Sequence, residues 1–230
     1  MKTKDFISLI FAIVLSFSAK AQLSSTKKAT PQQLATEVAA IDKNAAEWAA
    51  SLKLNDADKE TRIKKLITTH LKAVHDWHYS HSYESVPAGI NPSTGRTLGP
   101  LDRQLIASSA MPKSVHENLM AGLRNELTEQ QVDLILDKYT GNRMSSTLGK
   151  YKIIVPDLTP EEEKVILANL KQAREQAIDY KTTKLHIEIF EIYRTKNERY
   201  LISKGRNWAQ LYKKYIDVVE PPKAAVNKGK

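Results

Sequence analysis

The sequence predicts an all-α protein: a single helical bundle of about seven helices with one long loop. Three observations carry this. Apolar residues recur every three or four positions through most of residues 31–217, the period of a helix with one buried face. Several of these stretches open on helix-start signals, Thr-Pro or Thr-Glu-Gln-Gln. No alternating strand pattern of useful length occurs; the one candidate is Tyr151 to Val155. No repeat with a period of roughly 20–50 residues stands out either.

The elements follow in order. Thr30-Pro31 starts the first helix, with Leu34, Val38, Ile41, Ala45, Trp48 and Leu52 on one stripe. Asn55 or Asp56 can cap the second, which carries Ile63, Leu66, Ile67, Leu71 and Val74 to about Tyr83. Pro87 to Pro112 is punctuated by Gly89, Asn91-Pro92, Gly95, Gly99-Pro100 and Met111-Pro112, and reads as a long loop enclosing a short helix over Leu101 to Ser109. Helix resumes at Ser114 with Val115, Leu119 and Leu123. Thr128-Glu129-Gln130-Gln131 is a capping box leading Val132, Ile135, Leu136 and Tyr139. A short helix or strand then ends at Pro156. Thr159-Pro160-Glu161-Glu162 joins an N-cap, a first-turn proline and acids that complement the helix dipole. Thr182 or Thr183 caps the next helix and Gly205 closes it; Asn207 caps the last, with Trp208, Leu211, Tyr212 and Tyr215.

Residues 1–21 have the layout of a cleaved secretory signal: basic Lys2 and Lys4, an apolar run from Phe6 to Phe17, and Ala19-Lys20-Ala21 before the cut. The apolar run is too short to span a bilayer comfortably. The expected organisation is therefore a leader (1–21), a flexible lead-in (22–30), a helical domain (31–217) and a disordered tail (218–230), located in the periplasm or secreted, with no transmembrane segment in the mature form. The chain contains no Cys, so thiolate zinc sites, cysteine nucleophiles and disulfides are excluded and helix packing must hold the fold.

The formal net charge is +9, part of it in the leader and in the tail lysines Lys223, Lys228 and Lys230. Acids are mixed with bases along the helix faces, and export removes most nucleic-acid partners, so no nucleic acid is expected. Attraction to acidic polysaccharide or to anionic outer-membrane groups matches that compartment better. Only Phe190 of the four Phe lies beyond the leader, whereas nine Tyr and three Trp remain. Tyr and Trp join an apolar face to a hydrogen-bonding edge, which suits sugar rings as well as half-buried helix contacts.

Three clusters carry possible chemistry. His75, Asp76, His78 and His81 lie along one helix end, but His75 and His81 are about 120° apart around the axis, so three imidazoles do not converge and no metal site is expected. Asp137 to Arg143, including Thr140, lies where a helix stops and orphan backbone groups collect. In Ala173 to Asp179, Arg174 and Ile178 share one side while Glu175 and Asp179 stand one turn apart on another. Paired carboxylates can serve as acid and base in sugar chemistry. Nucleophile elbows, P-loops and dinucleotide fingerprints are absent, and no cofactor is expected.

Leu127-Thr128-Glu129-Gln130-Gln131-Val132, Asp137, Thr140, Thr147, Tyr151 and Pro156-Asp157-Leu158-Thr159 resemble an uncharacterised exported family of Bacteroidota, as do Ala173-Arg174-Glu175, Asp179, Phe190, Tyr193 and Tyr200-Leu201. The resemblance spans roughly Asp56 to Tyr215. Within it, the family's Ile-His-Asp falls on Val74-His75-Asp76, and a Gly and two amides of the family pattern are replaced between Tyr193 and Leu201, by Glu198 and Arg199 among others. The resemblance implies a helical domain of unknown function with a suggested sugar-binding role, beside genes of polysaccharide use. The expected function is an exported carbohydrate-binding or accessory protein, with His75, Asp76, His78, Asp137, Thr140, Arg174 and Tyr193 at the ligand. The alternatives are a glycan-active enzyme using Asp137, Glu175 or Asp179, and a structural helical protein with no small-molecule site.

Overall fold

The computed structural model describes residues 29–92 and 94–219. The expected leader, most of the expected lead-in and nearly all of the expected tail lie outside the described residues. Among the described residues, nine α-helices follow one another: α1 (Pro31–Ser51), α2 (Ala57–Ser80), α3 (Pro100–Ser109), α4 (Lys113–Glu126), α5 (Glu129–Thr140), α6 (Arg143–Ile154), α7 (Pro160–Ala177), α8 (Thr183–Ser203) and α9 (Trp208–Val219). There is no strand among the described residues; Ile90 and Thr97 form one isolated antiparallel bridge.

The count exceeds seven for two reasons. The short helix expected inside the long loop is present as α3, and the segment expected as a short helix or strand before Pro156 is a helix, α6, that ends at Ile154. The preceding turn explains the second case. Gly141 and Asn142 both adopt left-handed backbone (φ 60° and 55°), closing α5 and starting α6 with no intervening loop. Val155 leaves the helical region just after α6, and the β-branched run Ile153-Ile154-Val155 is what mimics a strand in the sequence.

The start signals work through side-chain acceptors. Thr30, Thr128 and Thr159 each form a reciprocal box with the Gln or Glu three residues on. Asp56 and Thr182 cap α2 and α8. Each such cap contributes roughly 1 kcal/mol. The long loop is tied down rather than free. Gln104 of α3 accepts from the Tyr83 amide (2.9 Å) and donates to the His81 carbonyl (3.0 Å), while Arg103 donates to the Val86 carbonyl (2.7 Å).

The apolar residues separate into two cores. The first joins α1, α2, α4 and α5 around Ala45, Ala49, Ile63, Ile67, Leu123 and Ile135. The second joins α6, α7, α8 and α9 around Ile166, Leu170, Ala173, Leu185, Ile189 and Leu201. Each fully buried Leu or Ile contributes on the order of 2 kcal/mol. Ile178, just past α7, belongs to the first core although Ala173 and Ala177 belong to the second. The C-terminal end of α7 is therefore where the two halves meet, and polar groups fill the rest of that junction.

Candidate functional site

Helix α7 presents its polar residues to two different surroundings. Arg174 is 1% exposed. Its guanidinium donates to both carboxylates of α5, Asp133 and Asp137 (2.8 Å to the latter), and to the Asp133 carbonyl (3.2 Å). Lys171 adds a second cation to Asp133 at 3.1 Å. Burial works to raise the Asp133 carboxyl, but Lys171 and Arg174 outweigh it and hold it below its ordinary value. This is a packed ion cluster clamping α7 to α5.

The next residue faces a cleft. A cavity of about 570 Å³ opens between the α3–α4 junction, the first turns of α4, the C-terminal half of α7, and Tyr193 of α8. His116 and Glu117 of α4 form one wall. Gln172, Glu175, Gln176, Asp179 and Tyr180 form the other. The i, i+3, i+4 spacing of α7 puts Gln172, Glu175 and Gln176 on one face, with Asp179 just past its end on the same side, while Arg174 points away into the junction.

At the inner end of the cleft the charges are linked. Asp179 Oδ1 accepts from His70 Nε2 of α2 at 3.0 Å. Asp179 Oδ2 pairs with His116 Nδ1 at 2.9 Å. His116 Nε2 lies 3.5 Å from Glu175 Oε1, and Arg124 of α4 pairs with the same carboxylate at 3.2 Å. His70 is 2% exposed, whereas His116 is partly open to the cleft. The pairing with Asp179 raises the His116 imidazole against the opposing effect of burial, which favours its charged form. Burial alone would raise Asp179, but the imidazoles of His116 and His70 reverse that and leave it below the usual carboxylate range. Burial raises Tyr180 and Tyr193, so both phenols stay neutral.

The expected ligand residues divide accordingly. Tyr193 lines the cleft. Arg174 and Asp137 are brought together, but in the buried clamp, and Thr140 is 3% exposed with its hydroxyl donated to the Leu136 carbonyl. These three groups are committed within the fold. His75 is also buried; its ring nitrogens face Glu37 (3.3 Å) and Asp76 (2.9 Å), and Asp76 itself is open to solvent. Glu37 further accepts from Tyr79 and pairs with Lys181 at 2.8 Å, fastening α1 to α2 and to the α7–α8 turn. His78 is lowered to about 4 by burial and by nearby Lys181. The His75 helix end and the Asp137 turn do not line a shared cleft with Tyr193.

Sequence reasoning missed His70, His116, Arg124 and Tyr180. One signal was present for His70: it stands three residues after Ile67 and four before Val74, inside the apolar face, where a polar group must find a partner. Nothing in the sequence marks His116, whose partners are more than fifty residues away. No group of His, Asp or Glu among the described residues is arranged to hold a metal ion. No described helix is long and apolar enough to cross a membrane.

No curated protein matches the sequence. The profile of a family described as "Protein of unknown function (DUF3826)" matches residues 38–220, which include both cores, the Arg174 clamp and every residue of the cleft. The chain belongs to this family.

Proposed function

We propose that the chain is an exported accessory protein of polysaccharide use that binds carbohydrate in the cleft between α4 and α7. The observation that supports this most is the make-up of the cleft. The partly exposed ring of Tyr193 lines it together with the amides of Gln172 and Gln176 and the carboxylates of Glu175 and Asp179, while the Tyr180 ring is buried in the second core. Ring faces suit the C–H face of a sugar, and amides and carboxylates suit its hydroxyls. The volume accommodates one or two sugar rings, within the ordinary range of small-molecule sites. Export rests on the leader at residues 1–21, and a mature N-terminus at Gln22 is its direct check.

The test is a glycan array with residues 22–230, followed by calorimetry on any hit using methyl glycosides. The expected result is binding that Tyr193→Ala weakens about tenfold or more, while His75→Ala leaves it unchanged. Silence across neutral and acidic glycans overturns the reading. Loss with His75→Ala and retention with Tyr193→Ala moves the site back to the α2 end.

A further inference from the structure

We propose that the cleft is also catalytic: His116 and Glu175 act as a proton donor and acceptor that interconvert the anomers of a reducing sugar. This rests on the reading that the cleft takes carbohydrate.

The separation of the two groups decides the reaction class. His116 Nε2 and Glu175 Oε1 are 3.5 Å apart. Glycoside hydrolysis needs its two groups on either side of the scissile bond, about 5–5.5 Å apart for retention and about 6.5–9.5 Å for inversion. The donor and acceptor here are too close for that. They fit a proton exchange between two oxygens bonded to one carbon, which are the ring oxygen and the anomeric hydroxyl of a cyclic hemiacetal.

The step balances without a further reactant. Nε2–H of protonated His116 gives its proton to ring oxygen O5 as the C1–O5 bond breaks and its electron pair moves to O5. The Glu175 carboxylate takes the O1 proton, and C1=O1 forms. The products are the open-chain aldehyde, neutral His116 and protonated Glu175. Rotation about C1–C2 presents the other carbonyl face, and the reverse transfers close the ring and restore both groups.

The surroundings suit these roles. Asp179 Oδ2 lies 2.9 Å from Nδ1 of His116 as an ion-pair partner, with Nε2 on the Glu175 side, and His70 donates to Asp179 from the buried side at 3.0 Å. The same contact favours the protonated imidazole that the first transfer needs. Arg124 holds Glu175 from its other side. His116 and Glu175 are the catalytic residues; Asp179, His70 and Arg124 are positioning residues.

The experiment is polarimetry on freshly dissolved α-D-glucose, α-D-galactose and α-D-galacturonic acid, with residues 22–230 at micromolar concentration. Wild type is expected to speed equilibration of at least one sugar about tenfold or more over buffer. His116→Gln and Glu175→Gln are each expected to reduce that acceleration by roughly 10²-fold or more, with unchanged circular dichroism. No acceleration of any of the three sugars by wild type overturns the proposal, as does acceleration that both variants retain. Methyl glycosides have no free anomeric hydroxyl and report binding alone, so binding to them with no acceleration of the three reducing sugars defeats the catalytic step while leaving the binding reading intact.

Discussion

Arg174 and Glu175 are neighbours in the chain and opposites in the structure. Arg174 is buried, with its cation divided between Asp133 and Asp137. Glu175 looks into an open cleft and shares its charge with His116 and Arg124. A helix turns about 100° per residue, so consecutive positions on α7 serve different neighbourhoods. In the first cluster the Arg174 guanidinium has given up its water while Asp133 and Asp137 stay partly solvated, so it is the loss of the buried cation that disturbs the interior. The cleft cluster keeps water on one side and tolerates loss of a partner. The first holds the halves together, and the second is available for ligand and proton transfer.

The largest expected effect breaks the buried side of this comparison. Arg174→Ala leaves Asp137 without its cation and Asp133 with Lys171 alone, beside an empty hole, and is expected to cost about 3–5 kcal/mol. Arg174→Met with Asp133→Asn and Asp137→Asn removes all three charges and is expected to recover most of that loss in urea unfolding. If the triple variant is as unstable as the single, the clamp is not an ion cluster whose cost lies in its unpaired remnants.

A second effect sharpens the contrast through pH. His78 is about 4 in the fold, held down by burial and Lys181, with Glu37 opposing and His75 adding to the effect. An unfolded His takes up its proton near 6.5, so the unfolded chain binds more protons between these values. Stability is therefore full above about 6.5 and falls as pH drops toward 4, by on the order of 2 kcal/mol. His78→Gln should flatten that limb in thermal unfolding between pH 4 and 7.

His116 runs the other way. Its folded value is raised by Asp179, so its contribution is complete below the ordinary imidazole value and is lost as pH rises through the folded one. Being partly solvated, it should add less than about 1 kcal/mol. The difference between wild type and His116→Gln is expected to shrink with rising pH, and a gap that widens instead would remove the imidazolium from the cleft.

How much of this could be read from the chain follows from range. Thr30, Thr128 and Thr159 act on amides within one turn, so their caps were legible as local patterns. Stripes such as Ile63 and Ile67, or Leu185 and Ile189, announce a buried face but not its partner. The spacing of Glu175 and Asp179 showed two carboxylates on one face, though not that His116 stands between them. Arg174 and Asp137 were expected at a ligand and did meet, but sequence does not say whether opposite charges meet in a cleft or in the interior. His75 and His78 were expected at a ligand; His75 is buried, with Glu37 of α1 3.3 Å from its ring.

The most direct test of the division on α7 is urea unfolding of Arg174→Ala and Glu175→Gln side by side, at pH 7. The account predicts a loss of about 3–5 kcal/mol for the first and less than about 1 kcal/mol for the second. Equal losses, or a larger one for Glu175→Gln, would contradict it by making the cleft carboxylate part of what holds the bundle together.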